Sequence, residues 1–309
     1  MGKVCCVGKA IEADDLGTPG EVRFGRRLAR AFKIASAELV SAWDSLDPQT
    51  AEQAYQAILR MPWNESFGAF QTEWEETTKS VMTEAGERSF NDIRGRVAST
   101  SSTLFTTAFT VENPYSRVYI RERSSRLIVE ISNETREAVK EILDKAIRNG
   151  EAPYRIRTRI GNTTGLFTRW AAAVDRRYSE LLASGVPEAE ANKAAAKYHD
   201  KLLRRRGQNI AITETVSASN QGTLDSWKIA QDNQWIPSDS GKEWISAFGS
   251  ARTCEFCPAL HGIVVGVNEM FPDTGIGKTQ RPPLHVNCRC TMGLTFDEPR
   301  TREVSSVVR

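Results

Sequence analysis

The chain has 309 residues, of which 40% are hydrophobic and 26% charged, a composition typical of a folded globular protein. Its length is sufficient for one large domain or for two to three ordinary ones. It contains no apolar run of about eighteen residues, so the sequence predicts no membrane-spanning helix. The formal net charge is +2, but the charges are distributed unevenly along the chain.

The first elements that the sequence predicts are two helices. Residues 21–42 place apolar side chains at helical spacing, and residues 49–61 predict a second helix that ends before Pro62. The apolar positions of the first helix are Leu28, Phe32, Ala35 and Leu39.

Residues 62–98 contain four aromatic side chains at i, i+4, i+7 and i+11. These are Trp63, Phe67, Phe70 and Trp74. Because this spacing places the rings on one face of a helix, we interpret them as part of a core rather than as a ligand site. Residues 99–114 are rich in Ser and Thr and end in Asn113-Pro114, which predicts a loop and a domain boundary.

The central third of the chain is predicted to be helical and basic. Gly150 and Gly185 suit the ends of helices. The predicted helices are residues 133–149, 153–161, 165–183 and 187–215. Residues 115–207 carry 20 basic and 12 acidic side chains, so the positive potential is concentrated here.

Within the central third, several arginines are closely spaced. They include Arg155, Arg157 and Arg159, and Arg204, Arg205 and Arg206. One interpretation is that they lie on solvated helix faces beside glutamates. The alternative is that they contact phosphate groups or an acidic protein surface.

After Gly222 the helical pattern weakens, and Gly262–Val267 is the best strand candidate. We therefore predict a mainly α fold of the α+β type, with helical N-terminal and central regions and a small C-terminal Cys/His module that contains β structure. The predicted domains are residues 1–114, helical; 115–222, basic and helical; 223–295, the Cys/His module; and 296–309, a tail.

The Cys/His module contains five potential metal ligands for the four positions of a tetrahedral site. Its Cys-x-x-Cys and Cys-x-Cys pairs and a nearby histidine have the spacing of structural Zn²⁺ sites. The simplest ligand set is Cys254, Cys257, Cys288 and Cys290, and the rival set has His285 as the alternative ligand in place of Cys288. Disulfide pairing is the alternative to zinc if the protein leaves a reducing compartment.

The sequence offers little support for an enzyme. It lacks the His-x-Glu that zinc deaminases require, the His-Glu-x-x-His of metalloproteases and a phosphate-binding Gly-rich loop. Glu214 lies on an otherwise apolar helix, where a carboxylate needs a partner. Our main interpretation is a buried structural pair. A catalytic carboxylate acting with His261 or His285 is the alternative.

In chain order, several segments resemble the Mu F-like head morphogenesis proteins of tailed bacteriophages. The resemblance covers about residues 125–292. It is carried by Arg155–Arg159, Gly161–Leu166, Ile210–Thr215, Asn220, Gly222, Trp244–Ser246, Arg252–Cys257, Leu260–Gly262, Phe271 and Pro282–Cys290. Two positions depart from the usual family pattern: Ile212 stands where Arg is common, and Val286 stands where Pro is common.

The resemblance implies a minor capsid protein that associates with the portal inside the head and acts in procapsid assembly and in DNA packaging and ejection. It also implies structural roles for Glu214, Trp244, Gly262 and Asn287. The expected partners are the portal protein, with the major capsid or scaffolding protein and packaged double-stranded DNA as further candidates, and no membrane. Residues 1–114 are the candidate region for the capsid or portal contact. The expected location is the virion, after assembly in the host cytoplasm. A zinc-stapled DNA-binding protein and a nuclease or toxin are the alternatives; we expect no enzymatic activity.

Overall fold

The computed structural model describes residues 17–97, 108–151, 153–248 and 256–296. Within them, seven helices and one small sheet confirm the predicted mainly α fold with a β-containing C-terminal module. The helices are α1 (Pro19–Leu46), α2 (Ala51–Arg60), α3 (Gly68–Val97), α4 (Pro114–Arg148), α5 (Pro153–Gly161), α6 (Thr168–Ala183) and α7 (Glu188–Asp232). The strands are β1 (Gly241–Ile245), β2 (Val264–Gly266) and β3 (Thr291–Thr295).

The first two helices begin at capping boxes. Thr18 accepts a hydrogen bond from the backbone N–H of Glu21, whose carboxylate accepts one from the Thr18 N–H. Thr50 and Gln53 form the same reciprocal arrangement at the start of α2. Each box satisfies N–H groups that a helix start otherwise leaves unpaired, which explains why both helices start close to the predicted positions.

Two helices extend well beyond their predicted limits. α4 begins at Pro114 rather than near residue 133, and α7 continues to Asp232 rather than ending near residue 215. The second half of α7 buries apolar residues such as Leu224 and Trp227, but many of its other buried positions are polar. Those buried polar residues are Ser217, Asn220, Gln221, Asp225 and Ser226. Hydrophobic periodicity therefore underestimates the length of this helix.

The chain divides into two compact units, each formed from separate segments. Within the described residues, we call 18–75, 121–151 and 153–208 the helical unit, and 17, 76–97, 108–120, 209–248 and 256–296 the sheet unit. Three helices, α3, α4 and α7, contribute residues to both units. The units therefore do not follow the four successive domains predicted from composition.

The aromatic stripe lies in the core of the helical unit. Trp63, Phe67, Phe70 and Trp74 are all buried, as predicted. Phe32 on α1 packs against Phe70 with ring centroids 4.9 Å apart and against Phe67 edge-on at 6.2 Å. These contacts account for the apolar pattern in both α1 and the start of α3.

The sheet unit has an antiparallel three-stranded sheet in the order β2-β1-β3. Glu243 on β1 pairs with Val264 on one side and Gly293 on the other. The Arg96 guanidinium donates to the Leu294 carbonyl across 2.8 Å, which joins α3 to the strand β3. The strand β2 confirms the predicted strand at residues 262–267.

The core of the sheet unit includes three cysteines. Cys257, Cys288 and Cys290 are buried in the same hydrophobic cluster as Trp244 and Phe271. The cysteines therefore do not line an open cleft.

Among the helices of the described residues, none is long and apolar enough to cross a membrane.

Candidate metal centre

Cys257 is the first residue of a short 3-10 turn, which comes after β1 along the chain. The 3-10 helix Cys257–Leu260 carries Pro258 at its beginning, where a missing N–H has no cost. Ser246, one residue after β1, donates its hydroxyl to the Cys257 carbonyl across 2.7 Å. This bond holds the turn against the end of the central strand.

Cys288 and Cys290 lie on the segment that leads into β3. The Cys288 N–H donates to the His285 carbonyl across 3.1 Å and closes a turn. Asn287 inside this turn has φ of +61°, a left-handed conformation that Asn tolerates better than most residues. The turn directs Cys288 inward, and the extended segment after it brings Cys290 to the same side.

The three thiols come together as a compact cluster. Their Sγ atoms lie within 4.8 Å of one another, and those of Cys257 and Cys288 are 3.9 Å apart. His285 Nε2 is 3.3 Å from Cys257 Sγ, and the His285 side chain also hydrogen-bonds to Cys288. The structure thus brings together four of the five predicted donors. Cys254, the fifth, lies outside the described residues.

The cluster favours a thiolate at Cys288. Hydrogen bonds from Cys257 and Cys290, supported by His285, lower the pKa of Cys288 although burial opposes the shift. At Cys290 the hydrogen bond with Cys257 favours ionisation. The interaction with the Cys288 thiolate, together with burial, outweighs it and raises the pKa of Cys290. Clustered thiols in which a negative charge is stabilised are typical of soft-metal sites.

The three described cysteines are free thiols. The 3.9 Å between Cys257 and Cys288 Sγ is almost twice the length of an S–S bond, about 2.05 Å. The geometry is therefore that of separate donors, and the donor set of Cys257, Cys288, Cys290 and His285 could hold a metal ion.

Helix α7 fixes the position of the cysteine segment through its polar residues. Thr213 Oγ1 accepts the Asn287 N–H across 3.0 Å, and the Asn287 amide donates to Asn209 Oδ1 across 3.3 Å. About two turns further along, Asn220 Nδ2 donates to the Cys290 carbonyl. The predicted role of Asn287 in this module thus has a physical basis. Thr213 and Asn209 were missed, although their i, i+4 spacing is visible in the sequence.

Glu214 is buried, with 3% of its surface exposed, as its position on an apolar helix predicted. Ile212, one of the two expected departures from the family pattern, is also buried. Val286, at the other departure, is 53% exposed. The departure at Ile212 therefore lies in the interior of the fold, and the departure at Val286 lies on its surface.

Trp244 and Gly262 have structural positions in the sheet unit. Trp244 is completely buried and packs edge-on against Phe271 at 5.1 Å. The Gly262 N–H donates to the Trp244 carbonyl across 2.9 Å, and its φ of +74° explains the glycine. His261 is exposed, and its Nδ1 accepts the Ser246 N–H across 3.2 Å.

Two charged residues of the sheet unit were not singled out from the sequence. Arg281 donates to Gln221 and Ser217 on α7 and lies over the Tyr119 ring. Lys242 on β1 is fully buried, and its ammonium donates to the carbonyls of Val267 (2.6 Å) and Glu269 (2.7 Å). Burial lowers the pKa of Lys242 to about 7, with the positive charge of Lys228 acting in the same direction.

The arginines of α5 are largely engaged inside the helical unit. Arg157 forms an ion pair with Asp44 across 2.6 Å. Arg159 is buried between Glu151 and Asp175. The side chain of Arg155 lies outside the described part of the chain. Arg157 and Arg159 therefore have partners within the fold.

The triplet Arg204–Arg206 on α7 divides into three environments. Arg204 is exposed, whereas the Arg205 guanidinium lies over the Trp170 ring at 5.5 Å. Arg206 is buried, donates to the Gly165 carbonyl across 2.9 Å and pairs with Glu134. Of the three, Arg204 is the one whose charge points most freely into solvent.

The comparison with protein families matches residues 137–293, slightly more than half of the chain, to the family described as Phage Mu protein F like protein. The chain belongs to this family. No curated protein and no solved structure matches it. The matched residues of this Mu F-like protein include the cysteine cluster, His285 and the part of α7 that contacts them. Membership identifies it as a bacteriophage protein of the head morphogenesis type.

Proposed function

We propose that the protein is a minor head protein of a tailed bacteriophage, associated with the portal inside the head. It acts in procapsid assembly and in DNA packaging and ejection, and it has no enzymatic activity. The observation that carries this proposal is the family match over residues 137–293. The portal protein is the proposed main partner, with the major capsid or scaffolding protein as a further contact.

The character of the cysteine cluster supports a structural rather than a catalytic role. A catalytic metal site keeps one coordination position open to water or substrate. Here Cys257, Cys288 and Cys290 are buried at 2–4% exposure within a hydrophobic core, and His285 lies against them. This arrangement favours a cross-link in a small domain over a reactive centre.

The test is quantitative mass spectrometry of purified particles. Phage deleted for this gene would be complemented with the wild-type chain, and mature heads and procapsids would be compared. We expect a few to a few tens of copies per particle, with fewer filled heads when the chain is omitted. Normal yields of infectious particles without the chain would contradict a role in head assembly.

A second candidate function, direct binding of duplex DNA, is favoured by one face of α7. Four basic side chains recur at i, i+4, i+8 and i+11, which places them on one side of the helix. We call them the basic stripe: Lys193, Lys197, Lys201 and Arg204. All four are exposed, and they span about 16 Å along the helix axis.

The opposite face of this part of α7 is buried, so the basic stripe is the outward face of a fixed helix. Buried positions include Ala191, Ala195, His199 and Leu203. Among the residues that the structure describes, none forms a salt bridge with the four cations of the stripe. Their charges are therefore available to a phosphate backbone, which carries one negative charge per about 1.7 Å of duplex.

Salt-titrated binding of a duplex of arbitrary sequence tests this candidate. If four phosphates are neutralised, the logarithm of the affinity falls with the logarithm of salt concentration with a slope of about −3.6. A variant with the four stripe residues changed to Gln should lose most of this slope.

A matched control removes four other exposed basic side chains. Changing Lys79, Arg117, Arg121 and Arg126 to Gln alters the net charge equally without touching the stripe. This control should retain the salt dependence of the wild type. Equal losses in both variants would show that net charge, and not the stripe, controls binding.

A further inference from the structure

We propose that the sheet unit binds one Zn²⁺ ion through three thiolates and one imidazole. The four donors are Sγ of Cys257, Cys288 and Cys290 and Nε2 of His285. This set differs from both sets considered from the sequence, because it retains Cys288 and gives the fourth position to His285 instead of Cys254. The proposal is independent of the role in head assembly.

The distances between donors agree with the edges of a zinc tetrahedron. With Zn–S of about 2.3 Å and Zn–N of about 2.0–2.1 Å, S···S edges are about 3.8 Å and S···N edges about 3.6 Å. The corresponding distances are 3.9 Å between Cys257 and Cys288 Sγ and 3.3 Å between Cys257 Sγ and His285 Nε2. Two of the six edges thus have the lengths that a single ion needs, and the three Sγ atoms all lie within 4.8 Å of one another.

The orientation of His285 supports coordination through Nε2. Its Nδ1 is 2.9 Å from the Val286 carbonyl, so Nδ1 carries the proton and donates. In this tautomer Nε2 presents its lone pair, and Nε2 is the atom that faces Cys257 Sγ. A second hydrogen bond that orients the ring in this way is typical of histidine ligands to metals.

The donor chemistry selects zinc over hard cations. Ca²⁺ and Mg²⁺ require oxygen ligands, whereas three thiolates and one imidazole are soft or borderline donors that suit tetrahedral Zn²⁺. Because all four positions come from the protein and the thiols are buried, the ion would be structural.

Hydrogen bonds from side chains to backbone carbonyls hold both ligand segments independently of the metal. Ser246 donates to the Cys257 carbonyl across 2.7 Å, and Asn220 donates to the Cys290 carbonyl across 3.3 Å. The ion would therefore join the turn after β1 to the segment before β3, and the Asn220 hydrogen bond attaches that segment to α7. Such a cross-link closes a loop of about thirty residues, which restricts the unfolded chain.

The first experiment is zinc analysis and X-ray absorption at the zinc edge on the full chain, purified under reducing conditions. We expect close to one zinc per chain, with three sulfur neighbours at about 2.3 Å and one nitrogen at about 2.0–2.1 Å. Metal-free protein would overturn the proposal, and four sulfurs without nitrogen would overturn the assignment of His285.

Four variants separate the proposed ligand set from the set of four cysteines. His285→Ala should lose at least half of the bound zinc, and His285→Cys should restore it with a fourth sulfur neighbour. Cys254→Ser and the control His261→Ala should retain one zinc per chain. Loss of zinc from Cys254→Ser together with its retention by His285→Ala would overturn the proposal. If His285→Ala does not fold, the absorption spectrum of the wild type and of His285→Cys still decides between the ligand sets.

Discussion

The Asn220 side chain on α7 hydrogen-bonds to both residues at the Cys290–Thr291 junction. Its amide donates to the Cys290 carbonyl, and its carbonyl accepts the Thr291 hydroxyl, each across 3.3 Å. Cys290 belongs to the cysteine cluster and Thr291 begins β3. A single helical residue thus positions the end of the cluster and the start of the strand.

Changing Asn220 to Ala should destabilise the sheet unit. The buried Cys290 carbonyl would lose its donor, which costs about 1–3 kcal/mol. The measurement is the free energy of unfolding in urea. Asn233→Ala is the matched control, because Asn233 makes the same local bond to the carbonyl four residues earlier but is exposed at the end of α7. Equal effects of the two substitutions would contradict the importance of the Cys290 contact.

Lys242 should make the free energy of unfolding of the protein depend on pH between about 7 and 10.5. Its pKa is about 7 in the fold and 10.5 ordinarily, so between these values the unfolded chain binds more protons than the folded one. Stability contributed by this residue therefore rises with pH through that window, by up to about 1.4 kcal/mol per pH unit.

Substitution of Lys242 by Met isolates this contribution. The difference in unfolding free energy between wild type and Lys242→Met should shift in favour of the wild type as pH increases from about 7 to about 10. Lys79→Met, which changes an exposed lysine, should show a constant difference from the wild type. A constant difference for Lys242→Met as well would mean that the buried amine titrates normally.

Gly222 and Gly95 should respond in opposite ways to alanine. A Cβ at Gly222 on α7 would lie 2.3 Å from the Met82 carbonyl oxygen on α3, so the two helices would have to separate. We expect a loss of about 1–3 kcal/mol. At Gly95 nothing lies within 4 Å, and alanine should add about 0.5–1 kcal/mol through its helix propensity. Thermal unfolding of the two variants gives the comparison.

Substitutions of Arg206 and Arg204 should have different effects on the stability of the protein. Arg206→Ala removes a charge-assisted bond to the buried Gly165 carbonyl, which costs about 1.5–3 kcal/mol, together with the contact with Glu134. Arg204→Ala, two residues away on an exposed position, should change stability by less than about 0.5 kcal/mol. Similar losses at both positions would contradict this assignment.

The sequence alone was sufficient to predict features that depend on residues close together in the chain. The existence of α1 and α2, the buried aromatic stripe of Trp63 to Trp74 and the mainly α fold follow from helical periodicity, which depends on residues a few positions apart. The grouping of cysteines with His285 was also visible, because metal donors recur at short spacings. The family resemblance followed from the order of such motifs.

Tertiary structure decided what depends on residues far apart in the chain. It decided that α7 continues to Asp232 through polar residues that are buried by distant partners, and that the compact units combine separate segments. It also decided that Arg206 is internal while Arg204 is exposed, and that His285 Nε2 faces Cys257. Neighbouring residues of the same type are equivalent in a local pattern; burial and hydrogen-bond partners, which only the folded chain supplies, make them different.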